Sequence, residues 1–186
     1  MPSVRTKHLD VEQLPLDVAA NDIDTRLIVR DSHSISLTED TMAMNTKKVL
    51  LGGLVAGVVM NIIDVITNMF IVGDRMKAES DAFKPGLSDQ MMAGNTMVTY
   101  IIMDFVLGIA LVWTYAAIRP RFGPGIKTAS YAAILFWILA GIFLSGYMHM
   151  GMMSTGLWFT FAFLGLVNFL LSAWAGAKFY TEDATV

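Results

Sequence analysis

Four long apolar stretches, separated by shorter polar segments, dominate the pattern of hydrophobic and polar positions along the chain. They cover residues 49–72, 97–118, 129–150 and 157–178, so that each is 22–24 residues long. A helix needs about 20 apolar residues to cross the roughly 30 Å hydrocarbon core of a bilayer. None of the four has the strict alternation over about ten residues that is typical of a barrel strand. The pattern therefore predicts an all-α membrane protein with a bundle of four transmembrane helices.

The same pattern divides the chain into three segments. Residues 1–46 are polar, residues 47–180 contain the four spans, and residues 181–186 form a short C-terminal tail. The composition of the N-terminal segment is typical of a flexible or partner-bound tail. Met42 and Met44 stand just before the first span, and this leaves open a second interpretation, in which residues 1–43 come from a start codon assigned too far upstream.

Composition and charge narrow the class of protein. Of the 186 residues, 55% are hydrophobic and only 16% are charged, which is typical of a membrane protein. The chain has no cysteine, so disulfides and thiolate metal sites are excluded. Its net charge is −3, and no basic surface of the kind that binds nucleic acid is indicated.

Basic residues predict the orientation of the bundle. Six basic residues lie just before the first span, between the second and third spans, or at the end of the fourth span, all of which are on one side of the membrane. Three lie between the first and second spans, on the other side. This bias favours both termini on the cytoplasmic side.

The two longer connections carry predictions of their own. In the second connection the basic residues are predicted to set topology or to bind anionic lipid headgroups; they are Arg119, Arg121 and Lys127. The connection begins with a predicted helix stop after Ile118. The first connection contains DRMKAESDAF (74–83), which predicts a helix along the outer surface.

Two segments of the chain resemble a family of small uncharacterised bacterial inner-membrane proteins with four spans. They are KKVLLGGLVAGVVMNIIDVITN (47–68) and VWTYAAIRPRFGPGIKTA (112–129), and the resemblance extends over about residues 45–180. It implies the four-span topology, a bacterial inner membrane and a chain that starts near the lysine pair. It implies no activity. The order Asn61, Asp64, Asn68 is similar to the family's pattern of Asn, acid and Asn, whereas the methionine-rich segment near residue 150 has no counterpart.

Polar residues inside the spans are the first candidates for a functional site. With the predicted topology, Asp64 and Asp104 lie at the same depth, about 5 Å from the midplane at 1.5 Å per residue. We expect one intramembrane polar cluster of Asn61, Asp64, Asn68, Asp104 and Asn168. A carboxylate at this depth is costly and faces protein or water. Two interpretations stay open: Asp64 bonds to Asn61, Asn168 or Thr67 and holds helices together, or the acids form a proton or cation pathway.

A second candidate is the methionine-rich run GYMHMGMMSTG (146–156). Its thioether and imidazole groups are ligands that suit Cu(I), which makes copper a possible cofactor although none is required. The candidate ligands are Met148, His149, Met150, Met152 and Met153. The alternative is that methionine fills irregular helix ends, as it commonly does.

Small residues spaced four apart predict where helices approach each other. The predicted packing positions are Gly53, Gly57, Gly141, Ser172 and Gly176. Such positions allow close backbone contact in lipid, where no hydrophobic effect drives association. Packing within the chain and packing against a second copy or another subunit are both open.

These observations favour a non-enzymatic integral membrane protein, an accessory or scaffolding subunit of a larger complex in a bacterial inner membrane. Its expected partners are the lipid bilayer and other membrane subunits or further copies of the chain. The alternative function is a small transporter or an ion- or metal-handling protein that uses Asp64, Asp104 and the methionine–histidine run.

Overall fold

The computed structural model describes residues 44–181, and every regular element in that part of the chain is helical. In chain order these are α1 (Thr46–Ile66), a π-helical turn (Thr67–Val72), α2 (Gly73–Phe83), α3 (Leu87–Met91), α4 (Gly94–Phe122), α5 (Ile126–His149) and α6 (Thr155–Phe179). Four helices are long and apolar enough to cross a membrane, namely α4, α5, α6 and the continuous helix from Thr46 to Phe83. The predicted all-α, four-transmembrane-helix fold is therefore confirmed. The N-terminal tail and its alternative start lie outside the described residues.

Local sequence explains where the helices begin. Asn45 precedes α1, and its side chain accepts a hydrogen bond from the Lys48 backbone N–H at 3.0 Å. Ser154 precedes α6 and accepts from the Leu157 backbone N–H at 3.2 Å. Each cap satisfies a backbone donor that has no partner inside the helix.

The reversal between α4 and α5 comes later than the sequence predicts. The expected stop after Ile118 is wrong, because α4 continues through Pro120 and ends at Phe122. Proline is tolerated within transmembrane helices. The chain reverses at Gly123 and Gly125, whose φ angles of 81° and 121° lie in the region that favours glycine.

The segment predicted as a separate surface helix continues the first span instead. The π-helical turn, with Val72 buried, joins α1 to α2 without a loop. Within this turn the chain passes so close to itself that a Cβ atom at Gly73 would overlap the Asn68 carbonyl oxygen. Glycine at position 73 therefore makes the π-helical turn possible.

The main buried apolar cluster lies in one half of the bundle, while Val72 and Leu157 are buried toward the other end. We call the end that holds Met44, Thr181 and the α4–α5 turn the terminal end, and the opposite end the distal end. The core residues lie in the terminal half of each span: Val49, Ala56, Met60, Leu111, Val112, Tyr115, Ala116, Ala129, Ala132, Ala133, Ala173 and Tyr180. α1 packs mainly on α4 and α6, and α5 packs on α6 and less extensively on α4.

Glycines bring the backbone of α1 against both of its neighbours. A Cβ atom at Gly108 of α4 would lie 2.5 Å from the Gly57 nitrogen and 2.6 Å from the Gly53 oxygen. On the other side of α1, a Cβ atom at Gly52 would lie 2.7 Å from the Gly176 oxygen of α6. The predicted packing role of Gly53, Gly57 and Gly176 is thus realised within the chain, while Gly52 and Gly108 were not predicted.

Helix α5 is held to α6 by a different kind of contact. The Trp137 indole donates to the Ala162 carbonyl oxygen at 2.7 Å, and the Trp174 indole donates to the Ser130 hydroxyl at 2.9 Å. The predicted packing glycine of α5, Gly141, does not take part, because a Cβ atom there would meet no atom within 4 Å. Its expected contact within the chain is absent from residues 44–181.

Replacing Gly108 with alanine should destabilise the bundle. The added methyl group must push α1 and α4 apart, and such overpacking costs about 1–3 kcal/mol. The free energy of unfolding, measured by circular dichroism in detergent micelles titrated with a denaturing detergent, should fall by about that amount. Gly141→Ala is the matched control, since it gains the same helix propensity without a clash, and it should be neutral or stabilising. Equal losses in both variants would contradict the close contact.

Candidate functional site

A chain of hydrogen bonds links the polar residues of α1 and α6 inside the bundle. Ser172 is fully buried and donates from its hydroxyl to the Asn168 side-chain oxygen at 3.1 Å. The Asn168 amide in turn donates to the Asp64 carboxylate at 2.7 Å. The expected bond between Asp64 and Asn168 is therefore present, and it ties α1 to α6 where both helices pass through the apolar layer.

The other two asparagines of α1 bond to their own helix. The Asn61 amide donates to the Gly57 carbonyl oxygen at 2.9 Å and lies 3.5 Å from the Ile101 carbonyl oxygen of α4. The Asn68 amide donates to the backbone oxygen of Asp64 at 2.8 Å. Neither side chain reaches the Asp64 carboxylate through a hydrogen bond. In the predicted cluster, Asp64 and Asn168 thus form a pair between two helices. Asn61 and Asn68 instead bond to backbone carbonyl oxygens of their own helix.

Asp104 of α4 differs from Asp64 in its surroundings. Its carboxylate is half-buried and close enough to Asp64 for the two charges to interact. Among residues 44–181, none donates a hydrogen bond to it. Asp104 therefore lies beside the polar chain without joining it.

The arrangement offers hydrogen-bond acceptors more than reactive groups. The two carboxylates can accept hydrogen bonds from a donor outside the chain, because each has oxygen lone pairs beyond those already bonded. The hydroxyl of Ser172 is already committed to Asn168.

Ser172 is the member of this site that sequence reasoning assigned only to helix packing. It lies four residues after Asn168, so both side chains share one face of α6. That spacing was available in the sequence and could have placed Ser172 in the polar cluster.

A second polar network, not predicted from the sequence, connects α2 to the start of α6 at the distal end. The two Glu79 carboxylate oxygens accept from the Ser154 backbone N–H and hydroxyl, both at 2.7 Å. Arg75 donates to Glu79 at 3.0 Å and to the Ser154 hydroxyl at 2.9 Å. A carboxylate at a helix N-terminus is favourable because the exposed N–H groups carry partial positive charge. We call Arg75, Glu79 and Ser154 the distal network.

Two of the five predicted copper ligands line a cleft at the distal end. Met152 and Met153 line an open cleft of 510 Å³ beside Glu79 and Phe83, and the other three candidates do not line it. The His149 ring nitrogen Nδ1 lies 2.7 Å from the Ser145 carbonyl oxygen, and Met148 and Met150 flank it in the chain. In the described part of the chain, no three His, Asp or Glu side chains are placed to hold one metal ion. A copper site, which also needs sulfur ligands, stays a prediction.

The basic residues predicted to contact lipid lie at the terminal end. The Arg119 guanidinium lies over the Tyr180 ring at 5.4 Å from its centroid, a cation–π contact that fixes one of the three. Arg121 and Lys127 are exposed. Two basic side chains are thus exposed at the terminal end of the bundle. Binding of lipid headgroups by these residues stays a prediction.

Replacing Asn168 with alanine should weaken the contact between α1 and α6. The Asp64 carboxylate then loses its donor, and interhelical hydrogen bonds of this kind contribute about 0.6–1.7 kcal/mol. The loss is measurable as a reduced free energy of unfolding in detergent micelles. Asn68→Ala, which removes a bond within one helix, should cost less. The interhelical role would be refuted if Asn68→Ala cost as much as Asn168→Ala.

Replacing Glu79 with alanine should expose the start of α6. The Ser154 amide loses its charged acceptor, so its hydrogen exchange should become faster, on the order of tenfold. Asp81→Ala is the matched control, because Asp81 binds the Ser88 amide at 3.0 Å within the same connection. That control should leave exchange at Ser154 unchanged. Unchanged exchange in Glu79→Ala would show that the distal network does not hold α6.

No family model, curated protein or solved structure matches the chain. The resemblance to small bacterial four-span proteins stays a prediction.

Proposed function

We propose that the protein is a non-enzymatic accessory subunit that packs against other subunits of a larger complex in a bacterial inner membrane, with both termini on the cytoplasmic side. Four helices long and apolar enough to cross a membrane make it a multi-pass membrane protein. The proposed role as a subunit goes further and depends on how the bundle is packed.

The observation that carries the proposal is the unequal packing of the two halves of the bundle. α4 and α5 are joined by the turn at Gly123–Gly125, and the buried residues of both helices lie between their midpoints and that turn. Away from the turn neither helix has a fully buried residue, and α4 brings the half-buried carboxylate of Asp104 into that region. A half-buried carboxylate at this depth is costly in lipid and favours contact with another protein.

A second candidate function, an ion- or metal-handling protein, is favoured by one observation. Asp64 and Asp104 lie close enough for their charges to interact, although they belong to different helices. A bound cation or a shared proton would relieve that repulsion. The two functions differ in what they require of Asp64.

Native mass spectrometry of the protein, extracted gently from its own membrane, tests the accessory role. We expect a complex in which the chain is bound to other subunits in fixed proportion. A strain that lacks the protein should yield the same complex without its mass. The chain appearing only alone or as a homo-oligomer would overturn the proposal.

Asp64→Asn separates the two functions. In an accessory subunit the variant keeps a side chain that can still bond to Asn168, so assembly of the complex should be unchanged. In a transporter it should abolish proton or metal uptake into liposomes while the protein still folds. Uptake that survives replacement of both Asp64 and Asp104 would exclude these acids as the transport site.

A further inference from the structure

We propose that the distal half of α4 is the docking surface for a transmembrane helix of another protein that carries a lysine or arginine at the depth of Asp104. The inference rests on the proposed accessory function and names the surface and the chemistry of the partner. We define the α4 docking surface as residues 97–107.

Exposure along α4 shows that the residues before Asp104 have no buried face. All residues from Gly94 to Met103 are exposed except Thr96, which is partly buried. A helix packed on one side would bury every third or fourth residue, as α4 does from Gly108 to Ala116. The ten residues from Gly94 to Met103 make about three helical turns, enough to contact a second helix.

Asp104 lies on the face of α4 that is buried further along the helix. The spacing of Asp104, Gly108, Leu111 and Tyr115 is four, three and four residues, which places all of them on one side. Gly108, Leu111 and Tyr115 are buried. The core-facing side of α4 therefore continues past Gly108 into a region that this chain covers only in part, since Asp104 and Phe105 are half-buried and residues 97–103 are exposed.

The charge of Asp104 selects the chemistry of the partner. Of the two intramembrane carboxylates, Asp64 has a donor in Asn168, whereas Asp104 has none among residues 44–181. The other polar side chain in the docking surface, Thr99, donates to the Asn95 carbonyl oxygen at 2.9 Å and is satisfied. An apolar partner helix would bury Asp104 without a donor, while a lysine or arginine would pair with it and also offset the charge of Asp64.

The test uses the full-length protein in lipid vesicles and two synthetic transmembrane peptides. The peptides consist of leucine and alanine, and one carries a single lysine level with Asp104 where the other carries leucine. Because the natural chain has no cysteine, Asn95→Cys introduces one position for a fluorescent donor at the distal start of α4. Energy transfer to an acceptor on the peptide then gives the affinity for each peptide.

We expect the lysine peptide to bind about three- to twentyfold more tightly than the leucine peptide, the range of measured interhelical hydrogen bonds. Asp104→Asn should reduce the ratio to about one, and Asp104→Glu should restore the preference. Asp74→Asn is the matched control, since Asp74 is an exposed acid of α2 outside the docking surface, and it should keep the full preference. Circular dichroism confirms that each variant is folded.

Three results would overturn the inference. The first is equal binding of the two peptides, and the second is a lysine preference that persists in Asp104→Asn. The third is energy transfer between donor- and acceptor-labelled copies of the protein that Asp104→Asn abolishes, because the surface would then bind a second copy. Failure of the peptide test leaves the accessory function standing if native mass spectrometry finds other subunits, whereas a chain found only alone removes the accessory function itself.

Discussion

Close backbone contact between α1 and its two neighbours is the constraint on which the rest of the bundle depends. Lipid tails are as apolar as leucine, so helices in a membrane gain little from hiding apolar side chains and depend on close approach. Gly57 and Gly108 allow that approach on one side of α1, and Gly52 and Gly176 on the other. Because the helices are antiparallel neighbours, these contacts fix their register, and the register places Asn168 opposite Asp64.

The sequence was sufficient to predict the four spans, since span length and apolar composition follow directly from the thickness of the bilayer. It also placed Asp64 and Asn168 in one cluster, because helix periodicity and depth determine which polar residues can meet. It could not predict the distal network, since Glu79 and Ser154 are far apart in the chain and nothing local joins them. The end of α4 was predicted too early, because Pro120 suggests a helix stop, whereas the chain reverses only at Gly123 and Gly125.

The two intramembrane acids show how differently one residue type can be treated within a single fold. Asp64 lies beside α6 and is bound by the buried amide of Asn168. Asp104 is half-buried and has no donor among residues 44–181, so the same chemical group keeps its acceptors available. A polar group in a membrane is most costly when it has no hydrogen-bond partner. Of the two acids, Asp104 on α4 is therefore the one that would gain most from a donor.

The π-helical turn between α1 and α2 sets the rotational phase of everything that follows it on the same helix. A π-helical hydrogen bond spans one residue more than an α-helical one, and one residue corresponds to a rotation of about 100°. Asp64 precedes the turn and Glu79 follows it. The rotation about the helix axis that separates these two side chains therefore depends on the six residues Thr67–Val72. An insertion or deletion of one residue there would leave both helices intact while turning Glu79 away from Ser154.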